Sequence, residues 1–127
     1  MPNLERLLAP VPASTFSQAG ISGGQKWTAE YNVACWVRGR AQFASTVTLS
    51  VRYRDASGER QAVVDRVSCE KESSLLLSGR VVVPASGRIE EMTVWLLSEP
   101  ACELFVDELY FQRVGASVTA KPIIATR

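Results

Sequence analysis

The stretch AEYNVACWVR, residues 29–38, decides the fold class, because its side chains alternate in character with a period of two. That period puts successive side chains on opposite faces of a β-strand, so Tyr31, Val33 and Cys35 share a face suited to burial. The run TVTLSVRYR, residues 46–54, repeats the pattern, with hydroxyl and guanidinium groups on its second face. Strands with one buried and one solvated face are typical of antiparallel sheets.

Further strand patterns follow at short spacing. The turn signal DASG, residues 55–58, leads into patterns over 60–68, 75–83, 89–97 and 103–112, and the polar stretch 70–74 predicts a solvated connection. No segment has an apolar period long enough for a substantial helix. With the runs 27–38 and 46–54, six short strands predict an all-β sandwich or barrel. Of these we expect a single antiparallel β-sandwich.

The length and composition fit one globular domain. The chain has 127 residues, of which 46% are hydrophobic and 21% charged, and one core is the economical arrangement for this size. We divide it into an extended or weakly helical arm at 1–15, the sandwich at 16–114, and a tail or edge strand at 115–127.

The net charge, the first residues and the cysteines bear on the partners, the location and the cross-links of the chain. A net charge of +1 without clustered basic residues gives no reason to expect nucleic acid or an anionic membrane surface as partners. Glu5 and Arg6 stand where a secretory signal would continue as an apolar run, so we expect a cytoplasmic protein. Three widely spaced cysteines, Cys35, Cys69 and Cys102, predict free thiols rather than a disulfide framework.

The residues that common hydrolytic mechanisms need are scarce. Histidine is absent, which excludes Ser-His-Asp and Cys-His catalysis. The adjacent acids, such as Glu90 with Glu91 and Asp107 with Glu108, fall in turns or strands where solvation is their expected role. We therefore expect no enzymatic activity.

Several segments occur in the order of one known fold family. The segments are YNVACWVR (31–38), TLSVRY (48–53), LSGRVVVP (77–84), TVWL (93–96) and LFVDEL (104–109). Together they resemble successive strands of the carbohydrate-binding modules attached to bacterial xylanases and glucanases. The resemblance spans residues 16–113 and implies a galactose-binding-like jelly roll that binds a glycan or another sugar-bearing molecule.

Two features of that family are missing. Its members open with an acidic element that helps hold a structural calcium together with a late Val-Asp strand, whereas this chain has Thr15-Phe16-Ser17 at the matching place. Asp107 is then the one candidate calcium ligand, and a hard cation needs several more oxygens, so we expect no cofactor and a role for Asp107 in binding backbone donors. The tryptophan that often precedes Leu-Ser-Gly is also absent.

The candidate ligand residues are two tryptophans and their polar neighbours. Trp36 and Trp95 have the parity opposite to the core residues of their strands, so each ring should lie on an outer sheet face, where it can cover the C–H face of a pyranose. Asn32, Arg38 and Arg52 would supply hydrogen bonds to sugar hydroxyls. The same faces also offer Thr48, Ser50 and Thr93.

A second hypothesis assigns the same tryptophans to burial. The N-terminal arm, the tail or a partner subunit would cover them, because aromatic residues also anchor protein interfaces. The chain would then be a cytoplasmic structural or protein-interaction domain, with a homodimer as one form. Trp27 is expected to pack at the end of the sandwich, and Tyr31 and Tyr53 share the core parity. The parity of Tyr110 stays open, because residues 107–109 can hold a bulge.

Overall fold

The computed structural model describes residues 2–118, which form five strands and one helical turn. The elements are β1 (Leu4–Pro10), α1 (Ala13–Phe16), β2 (Lys26–Asp55), β3 (Gly58–Ser86), β4 (Glu91–Glu99) and β5 (Glu103–Val118). Every strand pairing is antiparallel. The all-β class predicted from the alternating pattern is confirmed, while the jelly-roll assignment remains a prediction.

β2 and β3 form one long hairpin that bends in the middle. They pair from Lys26 opposite Ser86 to Asp55 opposite Gly58, and at the bend residues 42–44 of β2 lie opposite the single residue Glu70. Extra residues on one strand bend a hairpin and increase its twist. We call β2 26–41 with β3 71–86 the first half, and β2 45–55 with β3 58–69 the second half.

The other strands extend the two halves separately. β5 pairs with the first half of β2, from Trp27 opposite Val118 to Arg40 opposite Glu103. β4 pairs with the second half of β2, and β1 adds to the far side of β4. The first half therefore has the order β3-β2-β5, and the second half has the order β3-β2-β4-β1.

The tip of the hairpin returns to the place where the hairpin begins. The Ala56 backbone N–H donates to the Ser86 carbonyl at 2.9 Å, and the Tyr53 hydroxyl donates to the Pro84 carbonyl at 2.6 Å. Gly87, whose φ is 69°, leaves room for this approach, because a Cβ there would lie 3.0 Å from the Ala56 Cβ at the tip and 2.4 Å from the Gly23 carbonyl oxygen. The hairpin is thus folded so that its two halves face each other.

The core lies between the two halves and contains the side chains of one parity. In the first half it takes Trp27, Tyr31, Val33, Cys35 and Val37, and the second half and β4 add Val47, Leu49, Val51, Tyr53, Met92, Val94 and Leu96. The Trp27 indole N–H donates to the Gly87 carbonyl at 2.7 Å, which joins the core to the closure of the fold. As predicted, Trp27 packs at one end of the fold, and Tyr31 and Tyr53 are buried.

Two expectations about the elements need correction. The predicted strands 27–38 and 46–54 are one strand, β2, and the stretch 70–74 lies inside β3 rather than in a solvated connection. In both cases the backbone hydrogen-bond ladder resumes beyond the bulge without a turn. The arm at 1–15 contains β1, paired with β4, and the turn α1. In the predicted tail, residues 115–118 continue β5, and residues 119–127 lie outside the described part.

Candidate functional site

The outer side of the first half carries a group of exposed apolar side chains. Trp36 is 45% exposed, and its neighbours on the same side are Leu76 of β3 and, from β5, Phe105 and Tyr110, which are 41%, 52% and 47% exposed. Strand register explains the grouping, since Trp36 pairs with Leu76, while the adjacent outward residues Ala34 and Arg38 pair with Tyr110 and Phe105. We call this surface the Trp36 face.

Polar groups border the apolar side chains of the Trp36 face. Asn32 and Gln112 are paired on it and exposed, and the Tyr110 hydroxyl donates to the Gln112 side-chain oxygen. Glu108 lies beside Trp36 in the register. The face therefore combines flat rings with amide, hydroxyl and carboxylate groups that reach solvent.

Arg38 and Asp107 form an ion pair on the Trp36 face. The Arg38 Nε–H reaches both carboxylate oxygens of Asp107, at 3.1 and 3.2 Å, and the guanidinium carbon lies 5.8 Å from the centroid of the Phe105 ring. A bulge places Asp107 there, because β5 shifts register between Glu108 and Val106. Asp107 thus binds Arg38, whereas we had expected it to bind backbone donors. In residues 2–118 no group of three or more metal-ligating side chains is present.

Trp95 lies on the outer side of the second half, in a cleft of about 550 Å³. Its indole N–H donates to the Thr93 hydroxyl at 2.8 Å, and the Arg52 guanidinium lies 4.1 Å from the ring centroid. Arg52 is held there by Glu5 of β1, at 2.7 Å. One face of the Trp95 ring is consequently covered by a guanidinium that the protein itself positions.

The arginines around the Trp95 cleft are paired with acids. Arg54 binds Glu90 at 3.3 Å and Glu91 at 3.2 Å, and Arg60 binds Asp55 at 3.3 Å. Thr48 and Ser50, expected as exposed hydrogen-bonding groups, are buried at 3% exposure each, and the Arg66 Nε–H donates to the Thr48 hydroxyl at 3.2 Å. Thr48 is therefore engaged within the protein, and Ser50 is buried.

The structure divides the predicted ligand residues between two surfaces. Trp36, Asn32 and Arg38 lie together on the Trp36 face, whereas Trp95 and Arg52 lie in the Trp95 cleft on the other half. Because the two halves face each other, the two tryptophans point away from each other. A single sheet face that includes both rings is therefore not formed.

Sequence reasoning missed three members of the Trp36 face. Leu76 and Phe105 are outward members of strands whose alternation was read only for its buried parity, and Tyr110 depended on the bulge at Asp107. No alternation marked Leu76 in the sequence, because residues 75–77 are three consecutive leucines, and only the structure shows that Leu75 and Leu77 are more buried. Register across strands, which one sequence does not give, was needed to place Phe105 and Tyr110 beside Trp36.

The titratable groups with shifted pKa values are buried groups that support the fold. Burial raises the pKa of Tyr31 to about 12 and that of Cys35 to about 11. Burial also acts on Asp55, but hydrogen bonds from Ser57, Ser86 and Arg60 outweigh it and hold the pKa of that carboxyl below its ordinary value. These groups are stabilised in one protonation state, which is the behaviour of structural residues.

Comparison with protein-family models, with curated proteins and with solved structures gave no match. The resemblance to carbohydrate-binding modules therefore stays a prediction from the sequence segments. Within residues 2–118, no helix is long and apolar enough to cross a membrane.

Proposed function

We propose that this chain is a non-catalytic binding protein that recognises a glycan, or another sugar-bearing molecule, on the Trp36 face. The observation that carries the proposal is the exposed Trp36 ring on an open sheet surface with Tyr110 beside it. Aromatic rings stack on the apolar C–H faces of pyranoses, and the indole N–H keeps a polar contact available. Asn32 and Gln112 supply amide donors and acceptors for hydroxyl groups.

The contrast between the two outward tryptophans supports this choice of surface. Arg52 occupies a face of the Trp95 ring at 4.1 Å, so a sugar that stacked there would first have to displace a guanidinium bound to Glu5. Trp36 takes part in no side-chain hydrogen bond or guanidinium contact within the described range 2–118. A ligand can therefore cover the Trp36 ring without breaking an internal interaction.

Calorimetric titration with a panel of oligosaccharides tests the proposal. We expect at least one neutral oligosaccharide to bind, and Trp36→Ala to weaken it by about tenfold or more, which corresponds to about 1.4 kcal/mol. Phe43→Ala is the matched control, because Phe43 is 65% exposed but lies in the bend of the hairpin. Equal affinity in Trp36→Ala and the parent chain, or no binding across the panel, would count against the proposal.

A second candidate function is association with a protein partner through the same face, with a homodimer as the simplest form. It is favoured by Leu76, Phe105 and Val82, which are exposed, apolar and on the outer side of the first half. Apolar side chains of this kind anchor protein interfaces.

Light scattering over a range of protein concentrations separates the two candidates. A dimer that dissociates in Leu76→Asp supports the interface, whereas a monomer at all concentrations favours the glycan.

A further inference from the structure

Cys69 is buried at the bend of the hairpin, beside the connection between β4 and β5. It lies in β3 opposite Ser45 of β2 and has no exposed surface. The Ser45 hydroxyl donates to the Pro100 carbonyl at 2.6 Å. This hydrogen bond holds the β4–β5 connection against the bend that contains Cys69.

Cys102 lies in the same connection and is fixed on both sides. Its backbone N–H donates to the Ser98 hydroxyl at 3.3 Å, and the next strand begins one residue later. A Cβ placed on Gly39 would lie 2.5 Å from Cys69 Sγ and 3.5 Å from Leu104 Cδ2. Two segments therefore lie near Cys69: Pro100, two residues before Cys102, and Leu104, two residues after Cys102.

The two thiols are close enough to influence each other. Burial raises the pKa of the Cys69 thiol, and the neighbouring Cys102 thiol raises it further. The Cys69 thiol itself donates to the Lys71 carbonyl at 3.9 Å. Cys102 is partly exposed, whereas Cys69 is buried. A reagent in solution would consequently meet Cys102 first, with Cys69 directly behind it.

We propose that Cys69 and Cys102 are a dithiol that closes to an intramolecular disulfide when a small disulfide such as oxidised glutathione is supplied. The Cys102 thiolate attacks one sulfur of oxidised glutathione, breaks its S–S bond and releases one glutathione thiolate. The Cys69 thiolate then attacks the Cys102 sulfur of the mixed disulfide and expels the second glutathione. The two cysteines are oxidised by two electrons, the oxidant becomes two reduced glutathiones, and those take up the two thiol protons.

Cys35 provides the internal comparison for this site. It is fully buried on the core side of β2, and burial raises its pKa to about 11. Cys69 is buried as well, but Cys102 is among the groups that shift its pKa, whereas no cysteine is among those that shift the pKa of Cys35. Cys35 therefore has no neighbouring thiol with which to form a disulfide. Cys35 should therefore remain reduced while the other two cysteines react.

Closure of the pair would link the bend in β3 to the β4–β5 connection. A cross-link between two distant parts of a chain restricts its unfolded state and raises the midpoint of thermal unfolding. For an unstrained link in a chain of this length we expect a rise of about 10 °C. Reduction with dithiothreitol should reverse it.

Mass spectrometry of the full chain tests the dithiol. After treatment of the native protein with oxidised glutathione and alkylation in denaturant, we expect the loss of two hydrogens, one alkylated cysteine and a cross-linked peptide that joins Cys69 to Cys102. The Cys35→Ser variant should form the same link and leave no thiol to alkylate. The Cys69→Ser variant should instead retain glutathione on Cys102.

Several results would overturn the proposal. They are three alkylated cysteines after oxidation, a mixed disulfide on Cys102 that persists in the parent chain, a cross-link that includes Cys35, and a link between two chains. Peptide mapping of the parent chain alone distinguishes these outcomes, so the test does not depend on whether Cys69→Ser folds.

Discussion

Replacement of Asp55 by alanine should open the fold where the hairpin tip meets the hairpin start. The Asp55 carboxylate has no exposed surface and accepts hydrogen bonds from the Ser57 N–H at 2.8 Å, the Ser57 hydroxyl at 2.6 Å and the Ser86 N–H at 2.9 Å. Arg60 adds an ion pair at 3.3 Å. This one side chain therefore joins the turn at residues 55–58 to the far end of β3.

The magnitude follows from the donors that alanine would leave unpaired. A buried donor without a partner costs about 1–3 kcal/mol. The Ser86 N–H is partly buried, whereas Ser57 is exposed and its N–H can turn to water, so the two donors together cost less than twice the upper figure. We expect Asp55→Ala to lower the free energy of unfolding by about 3 kcal/mol, which for a domain of this size lowers the unfolding midpoint by about 12 °C. Asp55→Asn keeps one acceptor oxygen and should lose about half as much.

The loss of unfolding free energy in Asp55→Ala should also depend on pH. The pKa of Asp55 in the folded protein lies below its ordinary value of 3.8, so the ionised carboxylate contributes stability above that value. The contribution is lost as the pH falls through the lower, folded pKa. The difference in unfolding free energy between the parent and Asp55→Ala should thus be full at pH 6 and shrink once the pH drops below about 4.

Urea and thermal unfolding at several pH values measure these effects, with Asp107→Ala as the control. Asp107 pairs with Arg38 in a surface ion pair whose side chains are 45% and 63% exposed, and such pairs contribute about 0.5 kcal/mol. A loss in Asp55→Ala no larger than that in Asp107→Ala would refute the closure assigned to Asp55. A loss of stability in Asp55→Ala that does not change with pH would also refute it.

Three further changes have expected outcomes. Gly87→Ala should lower the free energy of unfolding in urea by about 3 kcal/mol or more, because its Cβ would meet a backbone carbonyl. Gly20→Ala, with φ 81° and nothing within 4 Å, should lower it by about 1 kcal/mol. Equal losses would contradict the close approach at Gly87. Leu77→Ala, at a site with no exposed surface, should cost about 2–5 kcal/mol in the same assay, and a loss under 1 kcal/mol would be inconsistent with its burial. Arg52→Ala should uncover Trp95 and increase its quenching by acrylamide, and unchanged quenching would argue against the guanidinium contact.

The period-two alternation was sufficient to predict strand faces. It assigned Tyr31, Val33 and Cys35 to the core and Trp36 to the outside, because one buried face imposes alternation on a strand wherever its backbone is regular. The closing turn at residues 55–58 was also readable, since aspartate and glycine there suit a tight turn.

The strand pairings and the covering of Trp95 depended on contacts between residues far apart in the sequence. The strong apolar alternation lapses over residues 39–45, where Phe43 is the one large apolar residue, so one bent strand was interpreted as two. The pairing of β1 with β4 and the contact of Glu5 with Arg52 join the first residues to distant strands. One sequence cannot reveal such pairings, and they determine why Trp95 is covered while Trp36 is open.

The three indole N–H signals in a nitrogen–proton correlation spectrum test the central claim most directly. Trp27 donates to a buried carbonyl and Trp95 donates to Thr93, while Trp36 reaches solvent on the proposed binding face. During titration with an oligosaccharide that binds, the Trp36 signal should shift in a saturable way and the other two should stay in place. A shift confined to Trp95, or no shift of any indole signal across the oligosaccharide panel, would contradict glycan recognition on the Trp36 face.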